Sequence, residues 1–180
     1  MKRKVLLFAL ILGTLPAITA SPFTYAASDN ECAIWLCLPS GFPSGCGDAR
    51  RAFKKRIKKF KSPLPSFSSC LYQGVTPSAM MSARDGIAAY IPQRKICNKW
   101  EKIRRGGEWD SYCLSYSIIP ARAVKNTPCI IHDGKEEETY RTPKYCTHTI
   151  RYVDTFMDGK KYGDTHYFSN GGDEISIPRR

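Results

Sequence analysis

This 180-residue chain has no C-x-x-C pair, no H-E-x-x-H signature and only three histidines, His132, His148 and His166, separated from one another in sequence. Each absence weighs against a chemistry. A dithiol oxidoreductase presents C-x-x-C with a low-pKa first thiol. Structural zinc sites draw on closely spaced cysteine pairs, and a zinc hydrolase needs two histidines one helical turn apart. No metal and no cofactor is therefore expected. Downstream of residue 20 no apolar run approaches the ~20 residues of a bilayer-spanning helix, so the mature form is expected to lack a transmembrane segment. Internal repeats, coiled-coil heptads and low-complexity tracts are also missing. Acid is the scarcer charge, with 16 Asp and Glu against 28 Lys and Arg and a net charge of +12.

What is present begins with an export layout. Met1-Lys-Arg-Lys4 precedes an apolar run from Val5 to Ala20, and small residues follow, the order of a secretory signal peptide. Ile18-Thr-Ala20 and Thr24-Tyr-Ala26 offer two cleavage sites. The second is preferred, which makes residues 1–26 the signal and 27–180 a single exported disulfide-rich domain. The rival reading is an uncleaved anchor, for which the run is short. All eight cysteines, Cys32, Cys37, Cys46, Cys70, Cys97, Cys113, Cys129 and Cys146, fall after the signal. An even set in an exported chain reads as disulfides. Four cysteines precede Cys97 and four run from it onward, which points to pairing within each half. Charge is uneven too. Residues 47–105 carry fifteen cations against Asp48, Asp85 and Glu101, whereas residues 126–180 carry eight against nine acids.

The pattern predicts helices first and strands second, an α+β arrangement, with residues 27–108 mainly helical and basic and 109–170 mainly β. Ser28-Asp-Asn-Glu31 offers capping residues for a short helix that Pro39 stops. Cys32 and Cys37 lie five apart, about 140° around a helix axis, so they should bond outward and not to each other. A second helix starts near Asp48 and places Ala49, Phe53, Ile57 and Phe60 on one apolar face. Pro63 and Pro65 end it, and Leu64, Phe67 and Leu71 read as core-docking residues. The small-residue stretch Pro77 to Tyr90 is compatible with helix despite Gly86. Ile96, Trp100 and Ile103 recur at helical spacing over Arg94 to Arg105, so a third, basic helix is expected there, ended by Gly106-Gly107. Beyond Trp109, β-branched and alternating residues predict strands over 112–119, 129–132, 145–155 and 161–168, with Asp158-Gly159 as a hairpin turn. The tail Asn170 to Glu174 is expected to be loose.

The sharpest partner signal is the second helix. Arg50, Arg51, Lys54, Lys55, Arg56, Lys58, Lys59 and Lys61 cover its remaining faces with no acid to pair them, and these are the candidate binding residues. The plain reading is a solvated helix docked by its apolar stripe. The functional reading is contact with an anionic envelope surface or a partner protein. Nucleic acid is an unlikely partner, because base-stacking aromatics should be interleaved with the charge, and here they share the inward face. Catalysis has weaker support. Asp154 or Asp158 could meet His148 or His166 at the hairpin as an acid–base pair, while Glu136-Glu-Glu138 reads as a solvated loop. Trp35, Trp100 and Trp109 read as core or interface anchors.

Cys32, Trp35-Leu-Cys-Leu-Pro39, Gly41-Phe-Pro43, Gly45-Cys46, Phe53 in its basic helix, Pro63-Leu-Pro65 and Cys70 resemble the TrbM-type (KikA-like) conjugal-transfer family. The likeness covers residues 32–70, with a fainter echo in the block from Cys97 to Cys113 with its Trp100 and Trp109. It implies a process and a compartment, that of an exported, periplasmic accessory protein of plasmid conjugation and type IV secretion, and leaves the mechanism open; the expectation adopted here is action by binding to secretion-channel or envelope components. It carries over no catalytic or ligand-binding residue. The competing expectation is an envelope-active enzyme or toxin, such as a hydrolase of cell-wall glycan.

Overall fold

The computed structural model describes residues 27–71, 76–134 and 139–178. The expected signal over 1–26 and the tract Glu136 to Glu138 lie outside those residues. Ser28 closes a capping box with Glu31 and starts α1 (Asp29–Cys32), which α2 (Ile34–Cys37) follows directly. Pro39 cannot continue the helix, and the chain leaves through a 3₁₀ turn at Leu38–Ser40 into left-handed Gly41. The basic helix is α3 (Gly47–Lys58), with Asp48 in its first turn and Lys55, Arg56 and Lys58 in its last, both favourable to the helix dipole.

Four disulfides join Cys32 to Cys70, Cys37 to Cys46, Cys97 to Cys113 and Cys129 to Cys146. Every pair stays within its half of the chain, and Cys32 and Cys37 bond outward as the helical geometry requires. Such a framework fits an exported protein. Among the described residues no helix is long and apolar enough to cross a membrane.

The β part holds an antiparallel sheet built on β1 (Met81–Ile91) and β7 (His148–Met157), in register from Met81 opposite Met157 to Tyr90 opposite His148. β4 (Arg122–Lys125) borders β1, while β8 (Lys160–Lys161) and β9 (His166–Phe168) both border β7. Two further hairpins stand apart from this sheet: β2 (Arg94–Arg105) with β3 (Glu108–Ile119), and β5 (Ile130–His132) with β6 (Tyr140–Thr142). The class is α+β.

Two helical expectations are overturned. Pro77 to Tyr90 contributes a strand because ten register pairs with β7 outweigh a weak local preference. Gly86 sits opposite Tyr152, and a Cβ there would meet the Tyr152 ring at 3.1 Å, so the glycine serves packing across the sheet. Arg94 to Arg105 is the first arm of a hairpin. Gly106 and Gly107, with φ of 58° and 94°, make its two-residue turn, since positive φ at both central positions matches the twist of paired strands. Asp158 and Gly159, with φ of 49° and 77°, turn β7 into β8 as expected.

The helices pack on one face of the main sheet. Ile34, Trp35, Leu38, Phe42, Phe53 and Ile57 meet Met81, Val153 and Phe168 there. Leu64 is buried and Phe67 packs edge-on to Trp35 at 5.6 Å. Ala88, Ile150 and Tyr152 face the other way and are covered in part by Ile175 and Ile177 of the C-terminal tail. That tail is ordered, contrary to expectation. Ile175 N–H donates to the Tyr167 carbonyl at 2.8 Å, and Asp173 and Glu174 reach back to Lys54 and Arg50.

Gly163 marks a close approach between the two parts. It has φ of 76°, and a Cβ there would lie 2.5 Å from the backbone oxygen of Pro39. Gly163→Ala is expected to destabilise the fold by about 2 kcal/mol, because a strained backbone and a clash with main chain add together. Chemical denaturation would check this, and an unchanged midpoint would contradict it.

Candidate functional site: the lysine cluster at the end of the basic helix

The inward face of α3 is narrower than its spacing predicts. Ala49, Phe53 and Ile57 are buried, but Phe60 is 96% exposed. The helix ends at Lys58, and Phe60 takes a left-handed φ of 55°, which turns its ring away from the core. A residue three positions after Ile57 shares its face only while the helix continues. Pro63 and Pro65 bring the chain back, and the break arrives before Phe60 can dock.

The eight candidate cations divide into two groups. Arg50, Arg51, Lys54 and Arg56 all find acids, contrary to the expectation that none would be available. Arg50 pairs with Glu174 at 3.3 Å, Lys54 with Asp173 at 2.6 Å, and Arg51 with Asp48 one turn back. Arg56 is structural. Its side chain is 12% exposed, reaches Glu31 at 2.8 Å and donates to the carbonyls of Ser62 and Leu64. Burial pushes Glu31 upward, but the hydrogen bonds from Arg56 and the Ser28 N–H outweigh it and hold the carboxyl below its ordinary range. Asp173 is lowered by its bond to Lys54.

Lys55, Lys58, Lys59 and Lys61 form the second group. All are exposed, and among the described residues none makes an ion pair. Asp173 and Glu31 feel Lys58 and Lys61 only through space. Between Lys55 and Lys61 at the helix end, four exposed lysines without ion pairs among the described residues therefore accompany one exposed aromatic ring. Such a patch attracts an anionic surface and offers it an apolar anchor.

The residues considered for acid–base catalysis are dispersed. His148 lies at the opposite end of β7 from Asp154, bonded to Thr147 and packed near Tyr90. His166 is buried between Phe42 and Phe53, each ring 5.4 Å away. Burial, with the Arg50 charge, pushes it down to about 4. Asp158 accepts from the Met80 N–H at 2.8 Å and fixes the turn. Burial raises Asp154, but Lys125 at 2.6 Å, Thr165 at 2.6 Å and Lys161 at 3.2 Å together leave it below the usual carboxylate range. A carboxylate held ionised by two lysines is a poor proton donor or acceptor near neutral pH. Among the described residues no group of three or more His, Cys, Asp or Glu side chains converges in a way that would hold a metal.

Of the three tryptophans, Trp35 is a core residue, while Trp100 and Trp109 are 62% and 70% exposed on the β2–β3 hairpin. Register places Trp100, Lys102, Arg104 and Trp109 on one face and Glu101, Glu108 and Asp110, with Arg105 opposite Glu108, on the other. A helical reading of Arg94 to Arg105 hides this gathering of acids on one face; the Gly106-Gly107 pair, read as a two-residue hairpin turn, was the signal that could have revealed it. No family model matches the chain, and neither does a curated protein or a solved structure.

Proposed function

We propose that this protein is an exported, periplasmic accessory of plasmid conjugation and type IV secretion, of the TrbM type, that acts by binding. Lys55, Lys58, Lys59, Phe60 and Lys61 form its contact with an acidic face of a secretion-channel or envelope component. The observation that carries this reading is the 96% exposed Phe60 amid four lysines without ion pairs. Leaving a phenylalanine in water forgoes about 1.5–3 kcal/mol of burial, and a partner surface would recover it. The family part of the reading rests on the residues from Cys32 to Cys70, and the compartment on the export layout together with four disulfides.

The contact is tested by K55E/K58E/K59E and by F60S. Lys54 is left out because it pairs with Asp173 inside the fold. Both variants are expected to lower conjugative transfer by about tenfold or more, the equivalent of ~1.4 kcal/mol of lost contact. Their melting temperatures should stay within a few degrees of the parent, since exposed positions contribute little to stability. Normal transfer by both variants would sink the contact hypothesis.

A further inference from the structure

A groove of about 620 Å³ opens between the β2 start and the β6–β7 connection, lined by Pro92, Arg94, Tyr140, Arg141, Lys144 and Tyr145 among others. Its position is fixed by the Cys129–Cys146 disulfide and by Arg141, whose Nη1 donates to the Cys146 carbonyl at 3.0 Å. Two cations share one ring. The Arg94 guanidinium lies 3.9 Å and the Lys144 ammonium 5.1 Å from the Tyr145 centroid, so the charges stand within roughly one Debye length of each other. No carboxylate pairs with Arg94, Arg141 or Lys144 among the described residues. In addition, the Arg94 Nε is buried and has no hydrogen-bond partner among the described residues. Tyr145 itself is held at φ 70°, an uncommon conformation for an aromatic residue. His132 stacks on Tyr140 at 4.3 Å with the planes 7° apart and stiffens the other aromatic wall.

Three cations without counter-ions and a buried donor without an acceptor, both among the described residues, together with two tyrosine walls specify both ends of a ligand. A carboxylate would satisfy the guanidinium fork and the ammonium, while a flat apolar body would lie against the rings. The volume suits a small molecule. We propose that this groove binds a small organic acid, a carboxylate on an aromatic or similarly flat apolar body. Arg94 and Lys144 take the charge, and Tyr140 and Tyr145 take the body. The groove is separate from the lysine cluster, and the proposal does not depend on the function proposed above.

The test is titration of the disulfide-intact protein with 2-naphthoate, followed by calorimetry and by tyrosine ring NMR shifts. The comparison ligands are 2-naphthylmethylammonium and acetate. Saturable naphthoate binding, about tenfold or more tighter than either comparison ligand, is expected. Lys144 and Tyr140 are exposed, so K144E and Y140A should preserve the fold, which far-UV circular dichroism would verify. K144E should weaken naphthoate about tenfold and Y140A severalfold. The proposal is overturned by absence of saturable binding, by equal affinity for the ammonium ligand or for acetate, or by unchanged affinity in K144E.

Discussion

Phe53→Ala is expected to cost about 3–5 kcal/mol of stability, the range for deleting a buried aromatic from a packed core. Phe53 is fully buried, and its ring lies 5.5 Å from Phe42, 5.4 Å from His166 and 5.0 Å from Phe168. It thus joins α3 to both the Gly41–Phe42 turn and β9. Two of these neighbouring rings lie on β9 and the third in the Gly41–Phe42 turn, so deleting the Phe53 ring removes contacts to two separate elements at once. The loss corresponds to a fall in melting temperature of roughly 10 °C or more for a chain of this size. Phe60→Ala, on the same predicted stripe, is expected to change stability by no more than about 0.5 kcal/mol, because its ring is 96% exposed. Thermal and urea unfolding of the two variants side by side would check both values. Equal losses would contradict the division of the stripe into a core part and a contact part.

Acid is expected to destabilise the fold between about pH 6.5 and pH 4 through His166. Burial beside Phe42 and Phe53, with the nearby Arg50 charge, pushes the folded imidazole down to about 4 from an ordinary value of 6.5. As pH falls through 6.5 the unfolded chain takes up a proton that the folded chain refuses. Stability is therefore full above that pH and declines until the folded ring also protonates near 4. The total is about 3 kcal/mol. Asp154 acts in the same direction at lower pH. Its depressed carboxyl keeps the Lys125 and Lys161 bonds until acid reaches the range below ordinary carboxylates. His166→Phe retains a ring in the aromatic cluster and removes the proton site, so it should flatten the decline between pH 6.5 and 4.5. Melting curves of both proteins at pH 7, 5.5 and 4.5 would check this. A parent protein whose melting temperature holds constant over that range would overturn the assignment.

Legibility varied along the chain for identifiable reasons. α1 with its capping box, the stop at Pro39, the start of α3 and the Asp158-Gly159 turn were readable because each is fixed within a few neighbouring residues. The half-by-half disulfide division was readable from spacing and compartment. Arg94 to Arg105 misled because Ile96, Trp100 and Ile103 sit at a helical interval while the same residues also satisfy a strand paired from Arg94 opposite Ile119 to Arg105 opposite Glu108. Gly106-Gly107 serves equally as a helix stop and as a hairpin turn. The lysine cluster was half legible. Counting cations along α3 found Lys55, Lys58, Lys59 and Lys61, but also Arg50, Lys54 and Arg56, whose acids come from Glu174, Asp173 and Glu31. Those partners are distant in sequence, so no local count could subtract them.

The sequence by itself determined the disulfide-rich chemistry of the chain, the concentration of positive charge in its first half, and the local punctuation that starts and stops its helices, because cysteine parity, charge and capping are properties of residues and near neighbours. Tertiary structure decided which cations are spent inside the fold, why Phe60 faces water while Phe53 anchors the core, that two helical-looking segments are strands, and that Arg94, Tyr140 and Lys144 meet around Tyr145. Each of these depends on contacts between segments far apart in the chain. Burial and pairing energies of that kind outweigh local preference by several kcal/mol, and they are absent from any short window of sequence.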